Sequence, residues 1–191
     1  KAWNAGIPHI VFTGGEPTLR DDLPALIAHA EANSQVSGLL TDGLRLTDPT
    51  YLDTLLQTGL DHLTIILQPE KETVWLALQN ALAADIFTAV HLTLTPSNDS
   101  QIPSILERLA KMGVTAVSLS AEETSLAPRL QAVRQVIANL GMELVWNLPT
   151  PYSKLNPVAL ETSQAVEMPE GAGRAWMYVE PDGDVLPAQG I

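Results

Sequence analysis

No cysteine occurs among the 191 residues, which excludes disulfides and any thiolate-held metal or iron–sulfur cluster within them. Basic residues are scarce too: 10 Lys and Arg stand against 22 Asp and Glu, a formal charge of −12. With no Lys/Arg cluster to neutralise a phosphate backbone, nucleic acid is set aside as a partner. No apolar run approaches the roughly 18 residues of a membrane-spanning helix, and the first residues lack the basic, apolar and small-residue regions of a signal peptide. A soluble cytoplasmic chain without a membrane partner is the expectation. Oligomeric state is not legible.

What is present is a regular alternation. Apolar, β-branched runs begin near His9, Ser37, His62, Phe87, Thr115 and Met142. Between them lie segments with helical spacing of apolar residues, drawn here over 23–32, 49–58, 71–84, 101–112 and 126–140. Asp22, Asp48 and Ser100 stand where N-caps belong, and Gly59, Gly113 and Gly141 stand at C′ positions leading into strands. Alternating strands and helices give an α/β fold with parallel strands and crossover helices, either an open doubly wound sheet or part of a (β/α) TIM-type barrel. The near-even spacing favours the barrel.

Alternation within the strands separates two faces. Val90, Leu92 and Leu94 oppose Ala89, His91, Thr93 and Thr95, while Val117 and Leu119 oppose Ser118 and Ser120. One face is therefore wet. A closed barrel fills its lumen with branched apolar side chains and a doubly wound sheet buries both faces, so an open, incomplete barrel lined for a polar ligand leads. The competing reading is a second face covered by a polar partner or by solvent.

Ligands of both architectures gather at the carboxyl ends of strands. The most loaded of these ends is Thr13-Gly14-Gly15-Glu16-Pro17, where paired glycines bare the backbone, Glu16 supplies an anionic acceptor, and Pro17 pushes Glu16 toward an extended conformation. Such a site suits an ammonium group. The other ends carry Thr41-Asp42-Gly43, Gln68-Pro69-Glu70, Thr95 to Asn98, Ala121-Glu122-Glu123 and Asn147 to Thr150. His9 and His62 begin strands, at the opposite end, and read as structural; His91 reads as a hydrogen-bonded interior histidine. Glu122 and Glu123 read as solvated, and Trp3, Trp75, Trp146 and Trp176 as packing. After Pro149 the pattern breaks into loop, a short helix over 158–166, and a hairpin around Glu180-Pro181-Asp182-Gly183-Asp184. Both chain ends, at Lys1 and Ile191, read as cuts in something longer.

These residues resemble the radical S-adenosylmethionine superfamily. GIPHIVFTGGEPTLR, from Gly6 to Arg20, is similar to its second strand and Gly-Gly-Glu-Pro motif, and Thr41-Asp42-Gly43 is similar to its Thr-Asn-Gly, with Asp42 in place of the usual Asn. AWMYVEPDGDVLPAQ, from Ala175 to Gln189, resembles the entry to a SPASM-like C-terminal extension, with Ala188 where a cysteine usually follows the Pro. The resemblance implies residues 1–149 as a partial barrel core lacking its first strand, and 150–191 as the start of the extension. It implies S-adenosylmethionine as cofactor, with a 4Fe-4S cluster on a CxxxCxxC loop absent from this chain. The activity implied is reductive cleavage of S-adenosylmethionine to a 5′-deoxyadenosyl radical, then hydrogen abstraction from a small-molecule or peptide substrate. These residues alone are expected to be inactive. By the same resemblance Gly14, Gly15 and Glu16 receive the methionine ammonium, Pro17, Thr41 and Asp42 belong to the same cofactor-binding group, and Gln68, Asn98 and Ser120 point toward ribose and adenine. No catalytic or metal-ligating residue is assigned. The alternative is a cluster-free barrel that binds a nucleotide-like or amino-acid ligand at the same mouth.

Overall fold

The computed structural model describes residues 2–122, 124–145, 173, 177–180 and 182–187. Strands β1 (His9–Phe12), β2 (Val36–Thr41), β3 (His62–Ile66), β4 (Phe87–Leu94), β5 (Ala116–Ala121) and β6 (Glu143–Leu144) alternate with helices. Those helices are α1 (Leu23–Ala32), α2 (Pro49–Leu56), α3 (Glu72–Ala83), α4 (Ile102–Met112) and α5 (Ala127–Asn139). A short antiparallel hairpin, β7 (Tyr178–Val179) and β8 (Val185–Leu186), follows. The expected helix over 158–166 and the continuation of the sixth strand past Val145 lie outside the described residues.

All six strands of the main sheet run parallel, in the order β1-β2-β3-β4-β5-β6. Residues paired across neighbouring strands share a face, so the register assigns each side chain to one side of the sheet. Leu39, Leu63, Ile65, Val90, Leu92, Leu94, Val117 and Leu119 fall on one face. They join a single buried cluster with Ile27 of α1, Leu55 of α2, Leu78 of α3, Leu106 of α4 and Ile137 of α5. Every helix thus packs on the same side. A doubly wound sheet reverses its strand order and carries helices on both faces. This chain departs from that pattern: its six parallel strands lie in sequential order with helices packed on one side.

The opposite face carries His9, Gly38, His62, Thr64, Ala89, His91, Ser118 and Ser120, so it is polar as alternation predicts, although all of these but His9 are buried. Each imidazole nitrogen of His91 faces a serine hydroxyl, Nδ1 to Ser118 Oγ at 3.0 Å and Nε2 to Ser120 Oγ at 2.9 Å. Ser120 Oγ continues to Thr93 Oγ1 at 3.0 Å. Burial holds the His91 pKa down to about 4, so the ring stays neutral. At the amino-terminal end, His62 Nε2 lies 2.8 Å from His9 Nε2, and the His62 ring occupies the space that a side chain on Gly38 would fill. Burial, then the neighbouring His9, lowers the His62 pKa. Both histidines are structural.

Local signals differ in places. Asp48 caps α2 by accepting from Thr50 N–H at 2.9 Å. Asp22 does not cap α1; it forms a bidentate pair with Arg20, at 2.9 and 2.8 Å. Ser100 lies within a 3-10 turn, Asp99–Gln101, and the N-cap of α4 is Gln101. In both cases a competing partner or tight turn next to the helix start displaces the expected cap. Trp75 is packed as expected, whereas Trp3 is 48% exposed.

Candidate functional site

The turn after β1 is built on Gly14, whose φ of +107° is closed to ordinary side chains, and a Cβ on Gly14 or Gly15 would meet nothing within 4 Å. Backbone here is bare and faces open space. Glu16 is extended, with φ −131° and ψ 107°, as the following proline demands. Pro17 opens a 3-10 turn, Pro17–Leu19, and is itself buried.

The Glu16 carboxylate is largely engaged by the chain itself. Glu16 Oε1 accepts from Thr18 N–H at 2.9 Å, Thr18 Oγ1 at 2.5 Å and Thr41 Oγ1 at 2.7 Å. Oε2 accepts from the Asp42 backbone N–H at 2.7 Å. The chain's own donors therefore fill Oε1, while Oε2 keeps capacity for one more donor. Glu16 bolts the β1 tip to the β2 tip.

Thr41 is 1% exposed, and its register partner Ile65 places it on the helix-facing side. Its hydroxyl orients Glu16 rather than facing the wet side of the sheet. Asp42, the next residue, is half-buried; its Oδ1 accepts from Leu44 N–H at 3.0 Å. Burial raises the Asp42 pKa, opposed by that N–H; the Glu16 charge and a side-chain hydrogen bond to Glu16 raise it further, and the Lys71 charge pulls it back. Glu16 and Asp42 thus bring two carboxyl groups together beside bare backbone, in contact through a side-chain hydrogen bond and within the field of Lys71.

The remaining candidates spread along the strand tips. Gln68 follows β3, is half-buried, and its carbonyl accepts from Lys71 N–H at 2.9 Å. Asn98 closes the loop after β4, accepting from Thr95 N–H and donating to the Thr93 carbonyl, each at 2.9 Å. That use explains why an Asn stands there. Ser120 is fully buried in the His91 network. The structure brings Gly14, Gly15, Glu16, Pro17, Thr41 and Asp42 together; Gln68, Asn98 and Ser120 stand on neighbouring strand ends and are not joined to that group by a hydrogen bond among those described. Sequence reasoning missed Thr18 and Arg45. Thr18 is fully buried and donates twice to Glu16, and Arg45 Nη1 donates to the Thr18 carbonyl. The signal for Thr18 was its place two residues after the Glu, the spacing of a side chain that accepts from nearby backbone.

The hairpin reaches the same tip. The Tyr178 hydroxyl is buried beside Thr13, and burial pushes its pKa up to about 12. A surface cavity of about 630 Å³ lies elsewhere, on the helical outside between α3 and α4, lined by Glu72, Trp75, Leu76, Arg108 and Met112 among others. It has no strand-end residue and belongs to a different region of the molecule. Among the described residues no group of three or more His, Asp or Glu side chains is placed to hold a metal ion, and no helix is long and apolar enough to cross a membrane.

No family model matches the chain. It is similar to the PqqA peptide cyclase of Xanthomonas campestris pv. campestris (strain B100), 27% identical over a 219-residue alignment covering 98% of this chain and 56% of the relative. It is also similar to the PqqA peptide cyclase of Streptomyces rochei, 30% identical over 210 aligned residues, 98% of this chain and 57% of the relative. That of Xanthomonas euvesicatoria pv. vesicatoria (strain 85-10) is 43% identical over a shorter stretch of 68 residues, 36% of this chain and 18% of the relative. The chain spans a little over half the length of the relatives that it matches from end to end.

Proposed function

We propose that this chain forms the S-adenosylmethionine-holding core of a radical S-adenosylmethionine enzyme that acts on a peptide. The observation that carries the proposal is the end-to-end similarity to PqqA peptide cyclases, which covers 98% of the chain. Sequential strand order with a single helical layer supports a partial barrel over residues 1–149. The β7–β8 hairpin supports reading 150–191 as the beginning of a SPASM-like extension.

The residues present fit the amino-acid end of S-adenosylmethionine. Open space over Gly14 and Gly15 admits a ligand to the backbone, and the Glu16 and Asp42 carboxylates favour a cation there. When bound, S-adenosylmethionine supplies the hydrogen-abstracting chemistry. This chain binds and orients: Glu16 Oε2 takes the ammonium and the β1 turn supplies backbone. Gln68, Asn98 and Ser120 belong to the strand ends that would flank ribose and adenine. The residues do not fit a 4Fe-4S cluster, since there is no cysteine, so its ligands would come from outside these 191 residues.

The full natural protein, reconstituted with iron and sulfide without oxygen and then reduced, is expected to release 5′-deoxyadenosine from S-adenosylmethionine. A cluster-loaded protein that releases none defeats the proposal.

A further inference from the structure

Glu16 is held in place by Thr18, which is itself held by Arg45 and Tyr51. Thr18 donates to Glu16 Oε1 through both N–H and Oγ1, and Thr18 is itself fully buried, so its position fixes the carboxylate. The Thr18 carbonyl is gripped in turn. Arg45 Nη1 donates to it, Tyr51 Oη approaches it at 3.4 Å, and the Arg45 guanidinium lies over the Tyr51 ring, 4.1 Å from its centroid. Arg45 comes from the turn after β2 and Tyr51 from α2, elements that are anchored in the core through Leu46, Leu52 and Leu55. A guanidinium stacked on a ring is a preorganised donor, so little freedom is lost when it binds the carbonyl.

We infer that Arg45 is a positioning residue for the ammonium subsite: stacked on Tyr51, it holds the Thr18 carbonyl, and Thr18 turns the Glu16 carboxylate so that Oε1 is occupied by protein donors and Oε2 faces the ligand. The inference rests on the S-adenosylmethionine reading above. Oε1 already accepts three donors, so a carboxylate free to rotate would offer either oxygen, and both the direction and the affinity of the ammonium contact would suffer. Arg45 never touches the ligand in this arrangement; its effect passes through Thr18 and Glu16.

The test compares two ligands on the full natural protein by equilibrium binding. S-adenosylmethionine carries the ammonium, and 5′-methylthioadenosine shares its nucleoside but lacks the amino-acid end. Arg45→Met is expected to weaken S-adenosylmethionine about tenfold, the scale of one charge-assisted hydrogen bond, and to leave 5′-methylthioadenosine unchanged. Arg45→Lys, which keeps a cationic donor but loses the planar stack on Tyr51, is expected to recover only part of the loss. Thr18→Val, equal in shape, removes one donor to Oε1 and is expected to act in the same selective direction, which keeps the test decisive if Arg45→Met does not fold. Equal weakening of both ligands, or no change in either, overturns the positioning role while leaving the cofactor reading intact. A wild-type protein that binds neither ligand overturns the cofactor reading, and this inference with it.

Discussion

At the residue scale, the chain shows how one side chain dictates its neighbour's identity. A Cβ on Gly38 would stand 2.1 Å from His62 Cε1 and 2.4 Å from Nε2, so the glycine exists to seat an imidazole rather than to bend the backbone. Gly38→Ala should destabilise the fold by about 2–3 kcal/mol in urea denaturation. His62→Ala in the same chain should recover part of that loss, because the clash and not the glycine's flexibility is its source. His91 gives a pH signature. Its folded pKa lies near 4, below the ordinary value of 6.5, so between those values the unfolded chain binds the extra proton and stability must fall as pH falls. Between pH 7 and pH 5 the loss from this group should be on the order of 2 kcal/mol. The groups facing the ring are Ser118, Ser120 and Thr93, none of them charged. His91→Gln should flatten most of the slope, and His62, whose pKa shifts the same way, should account for some of the remainder.

At the element scale, the helices divide sharply between core and surface. In α3, Val74, Trp75, Ala77, Leu78 and Ala81 are buried, whereas Leu76 is 48% exposed. Leu78→Ala should cost about 2–5 kcal/mol through lost burial and the cavity left behind. Leu76→Ala, one turn face away, should stay within about 0.5 kcal/mol. Thermal or chemical unfolding of the two variants checks the assignment of the buried face. Much of this was legible beforehand. The helical spacing placed α1 over the residues it occupies, and the others within two residues at most, since the apolar period and the flanking Gly and Pro residues are local signals. Caps were less legible. Asp22 has Arg20 two residues away, and an exposed ion pair competes with the backbone N–H groups that a cap would serve.

At the scale of the whole molecule, the strand order and the site became visible to different degrees. Even spacing of βα units already favoured sequential winding, and alternation in β4 and β5 already separated a wet face from an apolar one. In β2 it did not. Val36-Ser37-Gly38-Leu39-Leu40-Thr41 is buried on both faces beyond its first residue, so only pairing with β3 reveals that Thr41 faces the helices and serves Glu16. The Glu16 cradle likewise joins residues 25 and 26 positions apart, contacts that no local pattern encodes. The sequence located the carboxylate and the bare glycines. Folding was needed to show that Oε1 takes three donors from Thr18 and Thr41 while Oε2 takes one from the Asp42 backbone.

The central claim is therefore that Glu16 Oε2, at the tip of β1, anchors the charged amine of S-adenosylmethionine. A crystal structure of the full natural protein with S-adenosylmethionine bound tests it most directly. The account predicts the methionine nitrogen at hydrogen-bond distance, about 3 Å, from Glu16 Oε2, with the amino-acid end over Gly14 and Gly15. A ligand bound elsewhere, or one whose amine turns away from Glu16, would contradict it.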